Sequence, residues 1–138
     1  MSAIRFGVSM ESKLIQAFDR HIAEKGYANR SEAIRDLVRE NLVQQEWASG
    51  TQETVGTVSI VFDHHHGDIT EGLTELEHEN LQMIVSTLHV HLDHHNCLEV
   101  IILRGKPGEI KRFSDKLIST KGVKHGKLTA ATTGKSIV

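Results

Sequence analysis

The chain is 138 residues long, with a formal net charge of −2, ten histidines and one cysteine. A single cysteine excludes an intrachain disulfide framework and suits a reducing, cytoplasmic setting in which a thiolate survives as a ligand. The balanced charge does not announce a generally basic nucleic-acid binder, and no stretch reaches the roughly 20 apolar residues of a membrane helix.

The length allows one ordinary domain or two small ones, and a domain much below about 60 residues is marginal without an oligomeric partner or a metal. Residues 4 to 9 alternate, with Ile4, Phe6 and Val8 on one face and Arg5, Gly7 and Ser9 on the other, which predicts a short half-buried strand. Leu14, Ile15, Phe18 and Ile22 follow at helical spacing, and Lys25-Gly26 supplies a stop. Asn29 is placed to cap a second helix, with Glu32 as its returning acid and Ala33, Ile34, Leu37, Val38 and Leu42 as its buried stripe. A lone strand leaves its ladder groups unpaired, so this βαα segment calls for a second copy of the chain. Two such strands pairing about a twofold axis would form a ribbon that presents Arg5, Gly7 and Ser9 twice, a shape that fits the DNA major groove. Leu14, Phe18, Ile34 and Leu37 then read as the core of that dimer.

Apolar periodicity lapses between Gln44 and Gly56, which places a linker near 47 to 53 and divides the chain into one domain at 1–47 and another at 54–133. Trp47 is expected to pack at that boundary. In the second domain, 54–62, 83–92, 98–103 and 127–131 read as strands, and 68–80 and 108–120 as helices. This βαββαβ order points to a ferredoxin-like sheet with helices on one face, so the whole chain is of the α+β class.

The densest chemistry lies between Thr87 and Val100, TLHVHLDHHNCLEV. On a strand His89 and His91 share a face, with Val90 turned toward a core, and a hairpin through Asp93 and Asn96 would return Cys97 beside them. A soft thiolate beside imidazoles favours a late transition metal over magnesium or calcium. His78, in a polar helical run, reads by itself as surface. Asp63, His64, His65 and His66 end the first strand of the second domain as a candidate auxiliary metal patch, and His94-His95 is a weaker one. Such runs are commonly solvated and opportunistic.

Gly26 to Asp36, GYANRSEAIRD, resembles the second-helix signature of ribbon-helix-helix transcription factors. Thr87 to Glu99, with His78 eleven residues upstream of His89, resembles the metal-binding core of the nickel-responsive regulators, the NikR family. The two motifs stand in that family's order over roughly residues 4 to 130. The resemblance implies a ribbon-helix-helix domain followed by an ACT-type regulatory domain, assembled as a homotetramer, a dimer of dimers. It implies Ni(2+) held in a plane by His89, His91 and Cys97 of one chain and His78 of another; such a set suits Ni(II) or Cu(II), whereas zinc prefers a tetrahedron. The family's DNA-reading positions fall on Arg5, Gly7 and Ser9. Gly7 departs from the pattern because it has no side chain to read a base, while Arg5 retains two donors for guanine N7 and O6. Asn29, Arg30 and Ser31, at the start of the second helix, would meet a phosphate. Glu32 and Asp36 ordinarily form a solvated acidic pair, but the resemblance gives them a hard-cation site shared with the regulatory domain when DNA is bound.

The function implied is a nickel-dependent regulator that binds double-stranded operator DNA and represses nickel-uptake genes when nickel is sufficient. It is not an enzyme: all four metal positions are filled by protein, and no general base stands beside them. A metal storage or delivery protein would use the histidines but leaves the ribbon pattern unexplained. A ribbon-helix-helix antitoxin would have no need of the His-x-His and Cys constellation.

Overall fold

The computed structural model describes residues 2–138, so Met1, the first residue of the expected first domain, lies outside the described residues. By contacts the chain forms two compact units, one reaching to Glu40 and the other running from Asn41 to Val138.

In the first unit, α1 spans Ser12–Glu24. Gly26, at φ +86°, turns the chain after it, a backbone conformation that costs glycine little. The helix α2 spans Arg30–Ser49, and its first turns belong to this unit. Asn29 caps it as expected, its Oδ1 accepting the Glu32 N–H at 2.9 Å. The Glu32 side chain does not return to complete a capping box; it pairs with Arg35. Two hydrogen bonds of 2.8 Å from the Arg30 guanidinium to Asp19 tie α2 to α1, and both partners are more than 40 % exposed.

Residues 4 to 9 form no strand within the single chain, contrary to the pattern. Ile4, Phe6 and Val8 are 87, 74 and 66 % exposed. Among the described residues no other segment offers a ladder to them, and an unpaired strand gains no hydrogen bonds for the entropy it loses. Leu14, Leu37 and Val38 are exposed as well.

The second unit starts inside α2. The helix continues to Ser49, where Gly50 at φ +65°, inside the expected linker, stops it. Val43 is buried and Trp47, one turn later, packs on the core cluster of this unit, so a short apolar period was present where none had been read. Then follow β1 (Thr54–Asp63), α3 (Ile69–Glu79), β2 (Ile84–His91), β3 (Asn96–Gly105), α4 (Pro107–Ile118) and β4 (Val123–Ala130). The strands form one antiparallel sheet in the order β2-β3-β1-β4, the ferredoxin-like arrangement. Alternate residues of β1 and β3, among them Val58, Ile60, Phe62, Ile101 and Leu103, face Leu73 of α3 and Ile110, Phe113 and Leu117 of α4 in one core.

β4 begins four residues earlier than its apolar pattern suggests. Its first half, VKHG, is polar, yet Gly126 must lie against α4: a Cβ there would stand 2.6 Å from Ile118 Cγ1. The outward and inward faces of β2 also differ from expectation. Val90 pairs with Leu98 and lies 37 % exposed on the open face with Leu88, while His89 and His91 pair with the buried Glu99 and Cys97 on the helix-covered face. Helices cover only one face of this sheet, and the histidines, not Val90, take it.

Candidate metal centre and nucleic-acid interface

The hairpin of β2 and β3 sets His91 directly opposite Cys97, and β1 sets Phe62 opposite Cys97 from the other side. Cys97 is wholly buried. Its Sγ lies 3.4 Å from His91 Nδ1 and 3.0 Å from His64 Nδ1. One donor atom from each of His64, His91 and Cys97 falls within 4.8 Å of the other two. Two donors opposite each other on one ion, at bonds of about 2.1 to 2.3 Å, stand roughly 4.4 Å apart, so shifts of a few tenths of an ångström would let the three donors share an ion.

His64 reaches the thiol because it continues the in-phase series Val58, Ile60, Phe62 just past the end of β1. That alternation was legible in the sequence, although the residue was read only as auxiliary. His89 lies outside the trio: its ring centroid is 5.7 Å from that of His91, and it meets Phe62 edge-on. His78 is exposed in the last turn of α3, and the geometry does not bring it to the trio.

Two turns built alike surround the trio. Asp63 Oδ1 accepts the His65 N–H at 2.9 Å, and Asp93 Oδ1 accepts the His95 and Asn96 N–H groups at 2.8 Å. The Asn96 and His95 hydrogen bonds hold the Asp93 carboxyl down to about 2. These turns present His65, His94 and His95 with ring centroids 4.9 to 5.7 Å apart, and the His65 ring lies 3.9 Å from that of His64, tilted 45° to it.

Desolvation, ahead of the like charges of His65 and His91, pushes the His64 imidazole below its ordinary value and keeps it neutral, the form that ligates. Burial pushes the Cys97 thiol up, and Asp63, Asp93 and Glu99 add to the shift. The metal-free site therefore holds a protonated thiol between two imidazoles. Glu77 of α3 and the buried Glu99 were not singled out from the sequence. Burial, then the hydrogen bond with Glu99, pushes the Glu77 carboxyl up to about 8, and the His89 charge opposes that shift.

The DNA-reading candidates Arg5, Gly7 and Ser9 lie in the exposed extended segment. Of those at the head of α2, Asn29 is engaged as a cap, Arg30 is held by Asp19, and Ser31 is exposed. Glu32 pairs with Arg35, while Asp36 accepts from Tyr27 and Arg39 at 2.8 Å, contacts that lower its carboxyl, Tyr27 contributing most. Among the described residues no helix is long and apolar enough to cross a membrane.

A helical unit preceded by an exposed alternating segment is joined to a ferredoxin-like unit that clusters imidazoles around a thiol, and the matches of both units to known families make this a metal-binding, DNA-binding protein of the ribbon-helix-helix class. Residues 55–131 match the NikR C-terminal nickel-binding domain, and residues 4–45 match the ribbon-helix-helix proteins of the copG family. Relatives assigned as candidate nickel-responsive regulators include one from Geobacter sulfurreducens, 57 % identical over 134 residues (97 % of this chain and 96 % of that protein), and one from Thermococcus onnurineus, 54 % identical over the full length of both. Over 59 % of its length the chain also shares the fold of an uncharacterized protein from Thermotoga maritima, at a TM-score of 0.53 and 17 % identity, covering all of that protein. The chain belongs to the family of nickel-responsive regulators. It is a nickel-dependent, DNA-binding transcriptional regulator and not an enzyme.

Proposed function

We propose that His89, His91 and Cys97 of one chain, with His78 supplied by a second copy, are the nickel ligands, and that the chain works as a cytoplasmic homotetramer that represses nickel-uptake genes from a double-stranded operator. The observation that carries this reading is the register pairing of His91 with a buried Cys97, one pair away from His89 on the same face. His78, exposed on α3 and away from the trio, suits a donor to another chain. His89, His91 and Cys97 with His78 of a second copy would hold nickel through three nitrogens and one sulfur, a donor set that suits Ni(II). Cys97 must give up its proton for this, and His64 Nδ1 and His91 Nδ1 lie 3.0 and 3.4 Å from its sulfur.

His64, with Asp63 and His65, is proposed as an auxiliary set, because His64 competes with the incoming His78 for the same thiolate. Glu32 and Asp36, one helical turn apart, are the carboxylates offered to a hard cation, and they must release Arg35, Tyr27 and Arg39 to take it. In the first unit, the exposed Ile4, Phe6, Val8, Leu14, Leu37 and Val38 are the surface a second copy covers when the ribbon forms. Arg5 and Ser9 then read bases, Gly7 allows close approach, and Asn29, Arg30 and Ser31 meet phosphate. Coupling between metal and operator is reciprocal, so operator DNA tightens nickel binding by the factor by which nickel tightens operator binding.

The test is a Ni(II) titration of the metal-free protein followed by its absorption spectrum. A thiolate-to-nickel charge-transfer band of planar character, lost in Cys97→Ala and in His78→Ala but kept in His64→Ala, is the expected result. A band kept in His78→Ala and lost in His64→Ala would replace the shared site with one formed within a single chain.

A further inference from the structure

The register of β4 against β1 slips beside the metal centre. His125 stands opposite Val61, but Phe62 is opposite Val123, which leaves Lys124 as an extra residue in the strand. A bulge of this kind re-aims the side chain it carries. In the sheet β1 separates β4 from β3, yet Lys124 Nζ donates to Asn96 Oδ1, at the start of β3, at 2.7 Å. Among the described residues Lys124 forms no ion pair, so its one recorded side-chain partner is a neutral amide.

Asn96 immediately precedes Cys97. Its Nδ2 donates to Asp93 Oδ1 and Oδ2 at 3.2 and 3.0 Å, and Asp93 Oδ1 also accepts the His95 and Asn96 N–H groups at 2.8 Å. The Leu92 N–H closes the turn on the Asn96 carbonyl at 2.9 Å. An ammonium only donates and a carboxylate only accepts, so a side chain standing between them needs one end of each kind. The amide of Asn96 has both, and the two neighbours fix which way it faces.

Aspartate and asparagine commonly bond the backbone of their own turns, which accounts for Asp93 with His95 and Asn96. The turn at Asp63 has the same local closure, through the His65 N–H. Local closure does not account for a cation brought by a bulge from two strands away. What that cation holds is the short loop between His91 and Cys97, which pair in register with Nδ1 and Sγ 3.4 Å apart. Ligand groups function when their neighbours hold them to within about 0.5 Å of the productive geometry.

We propose that Lys124 and Asn96 are positioning residues for the nickel site: Lys124 orients the Asn96 amide, which with Asp93 locks the 92–96 turn so that His91 and Cys97 stand together before the ion arrives. The proposal rests on the reading of His91 and Cys97 as nickel ligands and adds to it the residues that hold them.

The experiment titrates full-length, metal-free protein with Ni(II) under chelator competition and records the thiolate-to-nickel band, with hydrogen exchange of the metal-free protein beside it. Asn96→Ala is expected to weaken nickel binding by about 10- to 100-fold, the usual loss when a group supporting a ligand is removed. It should also speed exchange of the His95 amide. Lys124→Met is expected to weaken binding by about fivefold, the worth of one hydrogen bond. Loss of a cation near a dication site would by charge alone tighten binding, so the sign separates positioning from electrostatics. Lys124→Arg should restore affinity, and the double variant should bind no more weakly than Asn96→Ala alone, because Lys124 acts through Asn96. Unchanged or tighter nickel binding in Lys124→Met, or losses that multiply in the double variant, overturns the proposal and leaves the ligand reading intact. Wild-type protein without a thiolate-to-nickel band overturns that reading and this proposal with it.

Discussion

Trp47 fastens the end of α2 to the sheet, and its removal has a cost that can be worked from its contacts. The indole packs on the core of the second unit, and its Nε1–H donates to the Ala131 carbonyl at 2.9 Å. Gly56 lies beneath the ring: a Cβ there would stand 3.0 Å from Trp47 Cη2, 3.2 Å from Cζ2 and 3.2 Å from the Thr129 carbonyl oxygen. Trp47→Ala is expected to cost about 3 kcal/mol, the low end for a tryptophan because the ring is only half-buried, with about 1 kcal/mol of it from the hydrogen bond. Trp47→Phe should forfeit mainly that last part. Gly56→Ala should cost about 1 to 3 kcal/mol through overpacking. In the Trp47→Ala background the clash with the ring is gone and only the Thr129 contact remains, so the two losses should fall short of additivity by about 1 kcal/mol. Urea unfolding of the metal-free variants, followed by circular dichroism at one fixed protein concentration, measures this. Additive costs, or a Trp47→Ala loss under about 1 kcal/mol, would refute the idea that the indole clamps α2 to Gly56 and Ala131.

Nickel affinity, measured by chelator competition, should climb by about tenfold per pH unit through the neutral range for the Cys97 proton alone, because burial raises that thiol and the metal must displace its proton. A plateau that begins well below the ordinary thiol value of about 8.5 would contradict the burial argument. Asn29→Ala should destabilise the head of α2 by about 1 kcal/mol and speed hydrogen exchange of its first amides, while Asn29→Asp should not. Gly122→Ala should cost about 2 kcal/mol, visible as a lower thermal midpoint, because the position needs φ +102° and a Cβ there would stand 2.7 Å from Ile69 Cδ1. An unchanged midpoint would mean that this turn relaxes freely.

For β1, and for the hairpin of β2 and β3, local pattern was enough to place the strands. The alternation of β1 and the hairpin that returns Cys97 to His91 both follow from period-two spacing. Ile4 to Ser9 carries the same alternation but has no partner within the chain, and alternation cannot say whose edge a strand will join. The last turns of α2, through Ser49, were not read as helix because the pair Val43 and Trp47 is too short a period to stand out against polar neighbours. In β4 the decisive residue, Gly126, is defined by what it must not carry, a side chain against Ile118, and that is invisible without the helix above it. The metal centre was half legible. Sequence spacing brought out His89, His91 and Cys97, but the His64 contact depends on β1 and β3 being neighbours, which is a property of topology. Glu77 and Glu99 were overlooked because a carboxylate in a helix and another in a strand look solvated until packing buries them together.

Cys97 lies at the floor of a well whose walls are imidazoles: no part of it is exposed, and His64 and His91 stand against its sulfur. Such a well sorts reagents by size and by affinity for nitrogen. A bulky disulfide or alkylating reagent must displace those rings before it reaches the sulfur.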